Sequence, residues 1–201
     1  MEPFCKIRSK AIPLDVVNID TDQIIPKQFL KLIHKTGYGK YLFYDWRFYG
    51  DGKPREDFVL NNIKYKGRQI LLTRDNFGSG SSREHAAWAI RDYGLRAIIA
   101  PSFADIFYDN CFKNGILPIR LVQQEVDYLF QNIDNIELEI NLPAQEIVAT
   151  DSGNSRIMHF VVQGSKKRIL LDGLDEIGIT LQYELYIAEY ENRNCTKVSL
   201  Y

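Results

Sequence analysis

A chain of 201 residues suits one domain, or one with a modest extension, and can bury a sizeable core. Its hydrophobic fraction of 45% and charged fraction of 25% are those of a soluble globular protein; no run reaches the length of a membrane span, and no signal-peptide core opens the chain. A net charge of −1 argues against a nucleic-acid or anionic-membrane surface. With neither a span nor a signal-peptide core in the sequence, cytoplasm is the expected location.

Residues 4–17 mix apolar and charged positions and predict a first strand or two. Asn18-Ile19-Asp20-Thr21-Asp22-Gln23-Ile24-Ile25-Pro26 follows as a turn built on side-chain-to-backbone bonds. A short helix through about Ile33 is expected next, with Pro26 in its first turn. Two acids and a threonine leading towards a helix could also line a site. Residues 41–50 are dense in aromatic side chains, which suits a core, a subunit interface or the wall of a pocket for a branched aliphatic group. Residues 51–57 read as a loop.

Residues 68–74 predict a strand and 83–93 a helix ending near Gly94, with Asn76-Phe77-Gly78-Ser79-Gly80-Ser81-Ser82-Arg83-Glu84-His85 at the junction. The two glycines allow φ > 0 and a close approach to a ligand. The helix start offers free N–H groups and a positive dipole end, a ready site for an anion. Ser81 and Ser82 add hydroxyls, and Arg83 adds a planar fork suited to a carboxylate. The plain structural alternative is a capping box, with Ser81 at the N-cap and Glu84 reaching back. That alternative leaves two glycines, a second serine and an arginine unexplained. The loop matches no dinucleotide fingerprint, P-loop or hydrolase elbow. His85, one helical turn after Ser81, is best read as an ordinary helix histidine.

Beyond it, residues 96–100 predict a buried strand, 102–114 a helix stopped by Gly115, and 116–119 another strand. This alternation implies an α/β fold with a largely parallel sheet and right-handed crossovers. Residues 136–140, 146–149 and 157–163 predict a meander turning at Gly153, and 166–171 and 179–192 two closing helices. Cys5, Cys111 and Cys195 are scattered without C-x-x-C spacing, as are His34, His85 and His159, so the chain is expected to carry no metal of its own. Cys111 reads as a buried free thiol.

Four stretches together resemble the small-subunit family of the bacterial 3-isopropylmalate dehydratases, or isopropylmalate isomerases, in the aconitase superfamily. They are the Asn18–Pro26 segment, the Asn76–His85 loop, Pro101-Ser102-Phe103-Ala104-Asp105-Ile106-Phe107, and Gly173-Leu174-Asp175-Glu176-Ile177-Gly178-Ile179-Thr180-Leu181. They keep the family's order and spread over nearly the whole chain, and the Tyr41–Phe48 stretch is similar to the leucine-pathway branch. The resemblance implies one three-layer β/β/α swivelling domain over residues 1–201, like the last domain of aconitase. It implies a heterodimer with a separate large subunit that carries a [4Fe–4S] cluster on three cysteines. By position, Ser81 corresponds to the family's catalytic base, Ser82 and Arg83, with Gly80, to its substrate-carboxylate contacts, and Thr21 and Asp22 to the adjoining loop. A second carboxylate-binding arginine has no counterpart here; His34 and Lys35 stand nearest its place.

The implied reaction is removal and re-addition of water, from 2-isopropylmalate through 2-isopropylmaleate to 3-isopropylmalate. A related hydro-lyase acting on 2-methylmalate, citraconate or homocitrate would fit the same motifs. Rivals of other classes are a serine hydrolase with an irregular elbow, and a non-catalytic carboxylate-binding module that regulates a partner.

Overall fold

The computed structural model describes residues 1–31 and 36–194. His34, Lys35 and Cys195 therefore lie outside the described residues. The described elements are β1 (Lys6–Ser9), β2 (Ala11–Leu14), α1 (Thr21–Ile24), α2 (Tyr44–Arg47), β3 (Ile70–Thr73), α3 (Glu84–Tyr93), β4 (Ala97–Ala100), α4 (Asp105–Lys113), β5 (Leu117–Arg120), α5 (Gln123–Gln131), β6 (Glu137–Asn141), β7 (Glu146–Asp151), β8 (Asn154–His159), α6 (Gly164–Asp172), α7 (Glu176–Leu181) and α8 (Glu184–Asn194).

They build two four-stranded sheets, one parallel in the order β2-β3-β4-β5 and one antiparallel in the order β1-β6-β7-β8. Lys10 alone separates β1 from β2, so the chain steps from one sheet to the other across a single residue. Sequence decides which sheet is which. β3 (Ile-Leu-Leu-Thr) and β4 (Ala-Ile-Ile-Ala) are apolar throughout and buried at every position, as a sheet covered on both faces requires. Pro13 and Pro118 cannot donate to a ladder, and they fall in β2 and β5, the two edges. In β6 and β7 burial alternates along the strand, the mark of a sheet with one wet face. With the helices, these sheets give the β/β/α composition that the resemblance implies.

Four expectations need correction. The helix placed after Pro26 comes before it: α1 occupies Thr21–Ile24 under a capping box in which Asp20 accepts from Gln23 N–H and Gln23 from Asp20 N–H, and residues 27–29 make only a 3₁₀ turn. The third meander strand ends at His159 rather than Gln163, because Phe160 and Val162 donate to the backbone and side-chain oxygens of Gln145 instead of a ladder partner. The closing helix is two, since Tyr183 N–H turns back to Thr180 in a tighter turn and α8 starts afresh at Glu184. Residues 123–131, assigned no element from sequence, form α5, which buries Val126 and Leu129 and packs on β3.

The aromatic stretch serves the core in part: Leu42 and Phe43 are wholly buried, with Tyr38 before them. This segment is docked on the end of α3, where the Asp92 carboxylate accepts from the N–H groups of Gly37 (3.0 Å) and Gly39 (2.7 Å). A Cβ at Gly39 would stand 2.6 Å from the Tyr93 backbone nitrogen, so the segment could not seat. Gly39→Ala should destabilise the protein by about 2–3 kcal/mol in chemical denaturation. Gly50→Ala, which meets nothing within 4 Å, should change stability by less than about 0.5 kcal/mol. Equal effects would refute the close docking.

Candidate active site

The loops leaving β2, β3 and β4 at their carboxyl ends are tied to one another. Asn18 N–H donates to Asp75 (2.9 Å), and Phe77 N–H to Ser102 (3.2 Å). The Ile19 carbonyl accepts from both Gly78 (2.7 Å) and Ser79 (3.2 Å), and Thr21 N–H donates to Ser79 (2.8 Å). Thr21 Oγ1 then donates to the Ser81 carbonyl at 2.9 Å. The backbone of the glycine loop is thus bonded along its length to the segment before α1.

Gly78 makes this path possible. Its φ of +79° is a left-handed conformation, and a Cβ there would overlap the buried Phe107 ring at 2.2 Å. Phe77 anchors the loop from beneath, fully buried with its ring 5.3 Å from that of Phe107. Gly80, φ +88°, then turns the chain outward over Asp20 and Thr21.

Five of the sequence-predicted residues converge. Arg83 donates through Nη1 to Asp22 Oδ1, and its Nη2 lies 3.5 Å from Ser81 Oγ. Its side chain is only 11% exposed, whereas the Asp22 side chain is 40% exposed. A nearly buried guanidinium held at one end by a carboxylate is fixed in direction, with its other end toward the serine. Thr21 is buried; Gly80 and Ser81 are exposed. Ser82, the sixth, is exposed and makes no hydrogen bond among the described residues. The N–H groups of Gly80, Ser81, Ser82 and Arg83 also find no acceptor among them. They and the start of α3 leave local positive potential beside Ser81 Oγ.

The capping-box alternative does not form. Arg83, not Ser81, stands at the N-cap of α3 without a side-chain cap, and Glu84 instead accepts from Asn114 Nδ2 at 3.0 Å. His85 points to ring packing: it lies 5.5 Å from Tyr38 and 4.6 Å from Trp88, and burial holds its pKa below the usual imidazole range. Sequence reasoning passed over the supporting polar set of Asn18, Asn76 and Ser102. Asn76 Nδ2 donates to Asn18 Oδ1 at 2.9 Å, and both asparagines take positive φ. The signal available was asparagine's tolerance of that conformation.

Among the described residues, no group of three or more His, Cys, Asp or Glu side chains could hold a metal ion, so this set does not fit a cluster. Cys111 is a free thiol, and burial pushes its pKa well up. No helix among the described residues is long and apolar enough to cross a membrane. Two cavities, of about 740 and 610 Å³, open elsewhere; neither is lined by residues 76–83. The parallel strands also run in chain order without the reversal that opens a ligand crevice in doubly wound sheets. With Gly80, Ser81 and Ser82 exposed, the converged residues form an open patch.

Residues 1–124 match the aconitase C-terminal domain family. The chain is 53% identical over 196 residues to the 3-isopropylmalate dehydratase small subunit of Geobacillus sp. (strain WCH70), covering 97% of this chain and 98% of that one. It is 55% identical over 196 residues to the protein of the same name from Brevibacillus brevis, covering 96% and 100%. The crystal structure of a 3-isopropylmalate dehydratase from Methanocaldococcus jannaschii aligns with a TM-score of 0.68 at 28% identity, covering 92% of this chain and 99% of that one. The tied loops at the sheet edge thus sit in a fold and a sequence shared almost from end to end with these proteins, and the chain belongs to the family of 3-isopropylmalate dehydratase small subunits in the aconitase superfamily.

Proposed function

We propose that this chain supplies the proton-moving serine and a carboxylate contact of an isopropylmalate isomerase whose remaining groups stand on a large subunit. The observation that carries the reading is the convergence of Thr21, Asp22, Gly80, Ser81 and Arg83 in one open patch. An open patch needs a second wall, and a separate subunit would provide one. The relatives' shared name favours isopropylmalate over 2-methylmalate, citraconate or homocitrate, and favours a catalytic subunit over a regulatory carboxylate-binding module.

The reaction requires loss of a proton from a carbon beside a carboxylate and loss of a hydroxyl from its neighbour. Ser81 is the group to take the proton. A serine hydroxyl is a poor base unless its charged form is stabilised; here Arg83 Nη2 lies 3.5 Å from it, and the N–H groups of the same loop have no acceptor among the described residues. Asp22 holds the Arg83 fork in place, and Thr21 holds the Ser81 backbone. The free donors of Ser82, of the Gly80 N–H and of Arg83 are the substrate-carboxylate contacts. The hydroxyl's departure calls for a Lewis acid, which the family resemblance assigns to a [4Fe–4S] cluster on the large subunit.

Since Ser81 caps nothing, Ser81→Ala should leave the melting temperature within a degree or two while turnover of the reconstituted two-chain enzyme falls by about 10²–10⁴. Paired melting curves and single-turnover rates on one preparation check this; a stable mutant with near-normal chemistry would exclude Ser81 as the base. Arg83→Lys keeps a charge but not the fork that spans Asp22 and Ser81. It should raise KM and lower kcat, each by about tenfold or more. Steady-state kinetics in which only KM moves would confine Arg83 to binding.

A further inference from the structure

The cavity of about 740 Å³ sits at the opposite end of the two elements that frame the glycine loop. Gly67, Arg68 and Gln69 line it just before β3, and Tyr93 and Gly94 line it where α3 closes. The glycine loop leaves the end of β3 and enters the start of α3. A ten-residue helix is about 15 Å long, so the two places are that far apart.

The charge in this cavity is one-sided. Arg47, Lys66 and Arg68 line it, and no carboxylate does. Arg47 lies partly buried with its guanidinium over the rings of Phe48 (5.0 Å) and Tyr93 (5.2 Å). Its Nε donates to Asn61 Oδ1 at 3.0 Å, and its Nη1 to the Leu42 carbonyl at 3.3 Å and the Gly39 carbonyl at 3.5 Å. Arg68 Nη1 donates to the Ala11 carbonyl at 2.6 Å. These are neutral partners. Among the described residues none of the three cations has an ion pair, and Asp134, the acid that Arg68 feels, is paired with Lys64 at 2.5 Å. Burial lowers the pKa of Arg47 and of Arg68. Among the described residues, Nη2 of both arginines and Nε of Arg68 have no acceptor.

The same lining includes the apolar Phe48, Leu60 and Tyr93 ring beside the polar Asn61, Asn62 and Gln69. A concave site with apolar walls and a few convergent donors is the form of a small-molecule pocket, and two guanidinium forks select a carboxylate. We propose that this cavity is a second ligand site, separate from the Ser81 loop, for a small carboxylate carrying an apolar group. Lys66 and Arg68 grip the carboxylate, Arg47 forms the charged floor, and the rings take the apolar end.

The test is a titration of the ¹⁵N-labelled full chain with 4-methylpentanoate and, separately, with its neutral amide, read by amide chemical shifts. The expected result is saturable shifts at Gly67, Gln69 and Gly94 with the carboxylate and none with the amide. The Lys66→Gln/Arg68→Gln protein should bind at least tenfold more weakly with unchanged circular dichroism. If that protein does not fold, exposed Lys66→Gln alone should weaken binding several-fold. Absent or non-saturable shifts, equal shifts with the amide, undiminished binding in the folded variants, or shifts at residues 79–83 instead would each overturn the proposal. So would loss of carboxylate binding on adding the large subunit, which would mean that a side chain of the partner fills the cavity.

Discussion

One carbonyl organises the candidate site. Ile19 C=O accepts from the N–H groups of both Gly78 and Ser79, and this pair of hydrogen bonds splices the loop after β3 onto the segment after β2. Everything that gives Ser81 a defined surrounding follows from it: Thr21 reaches the Ser81 carbonyl, Asp22 meets Arg83, and Arg83 turns its free end to Ser81. The splice depends on a residue without a Cβ at position 78, because the backbone runs directly over Phe107. Buried aromatic packing below and backbone pairing beside it hold a loop whose outer half is left exposed.

That division of labour suits a subunit whose work is completed elsewhere. The inner half of the loop, Phe77 and Gly78, belongs to the core, while Gly80, Ser81 and Ser82 face outward with N–H groups that nothing in the described chain satisfies. Exposed amides of this kind are satisfied by water in the free chain. They become electrostatic assets only when a ligand and a second surface exclude that water. The Asp22–Arg83 pair fits the same logic. It pre-orients a guanidinium at one end and leaves the other end available, so that in the proposed role less side-chain freedom would be lost on binding a carboxylate.

The parallel half of the fold was legible because its signals are strong and local. Continuous apolar runs marked β3 and β4, and Gly94 closed α3 as expected. The α5 helix was missed because Val122 at its N-cap offers no capping side chain, although Val126, Leu129 and Phe130 carry a helical period. The Asp20–Gln23 capping box was equally present in the sequence and outranked Pro26 as a helix-start signal; placing the helix after the proline inverted that order. Conversely, the Ser81–Glu84 spacing imitates a box that tertiary contacts prevent, since Glu84 is drawn to Asn114 and Ser81 is lifted away on Gly80. The neighbourhood of Thr21, Asp22 and Arg83 came only through the family motifs. No periodicity links residues sixty positions apart. The cationic cavity was invisible for the same reason, its three charges being gathered by Tyr93 and the turns before β3.

Amide hydrogen exchange at residues 80–83 tests the proposed shared site most directly, read in the chain alone, in the two-subunit complex, and in the complex with isopropylmalate. The account predicts fast exchange in the free chain, slower exchange once the large subunit is added, and the strongest protection when substrate joins them. Exchange at these amides that stays the same in all three states would contradict it, because the loop would then be neither half of a shared site nor a cradle for a carboxylate.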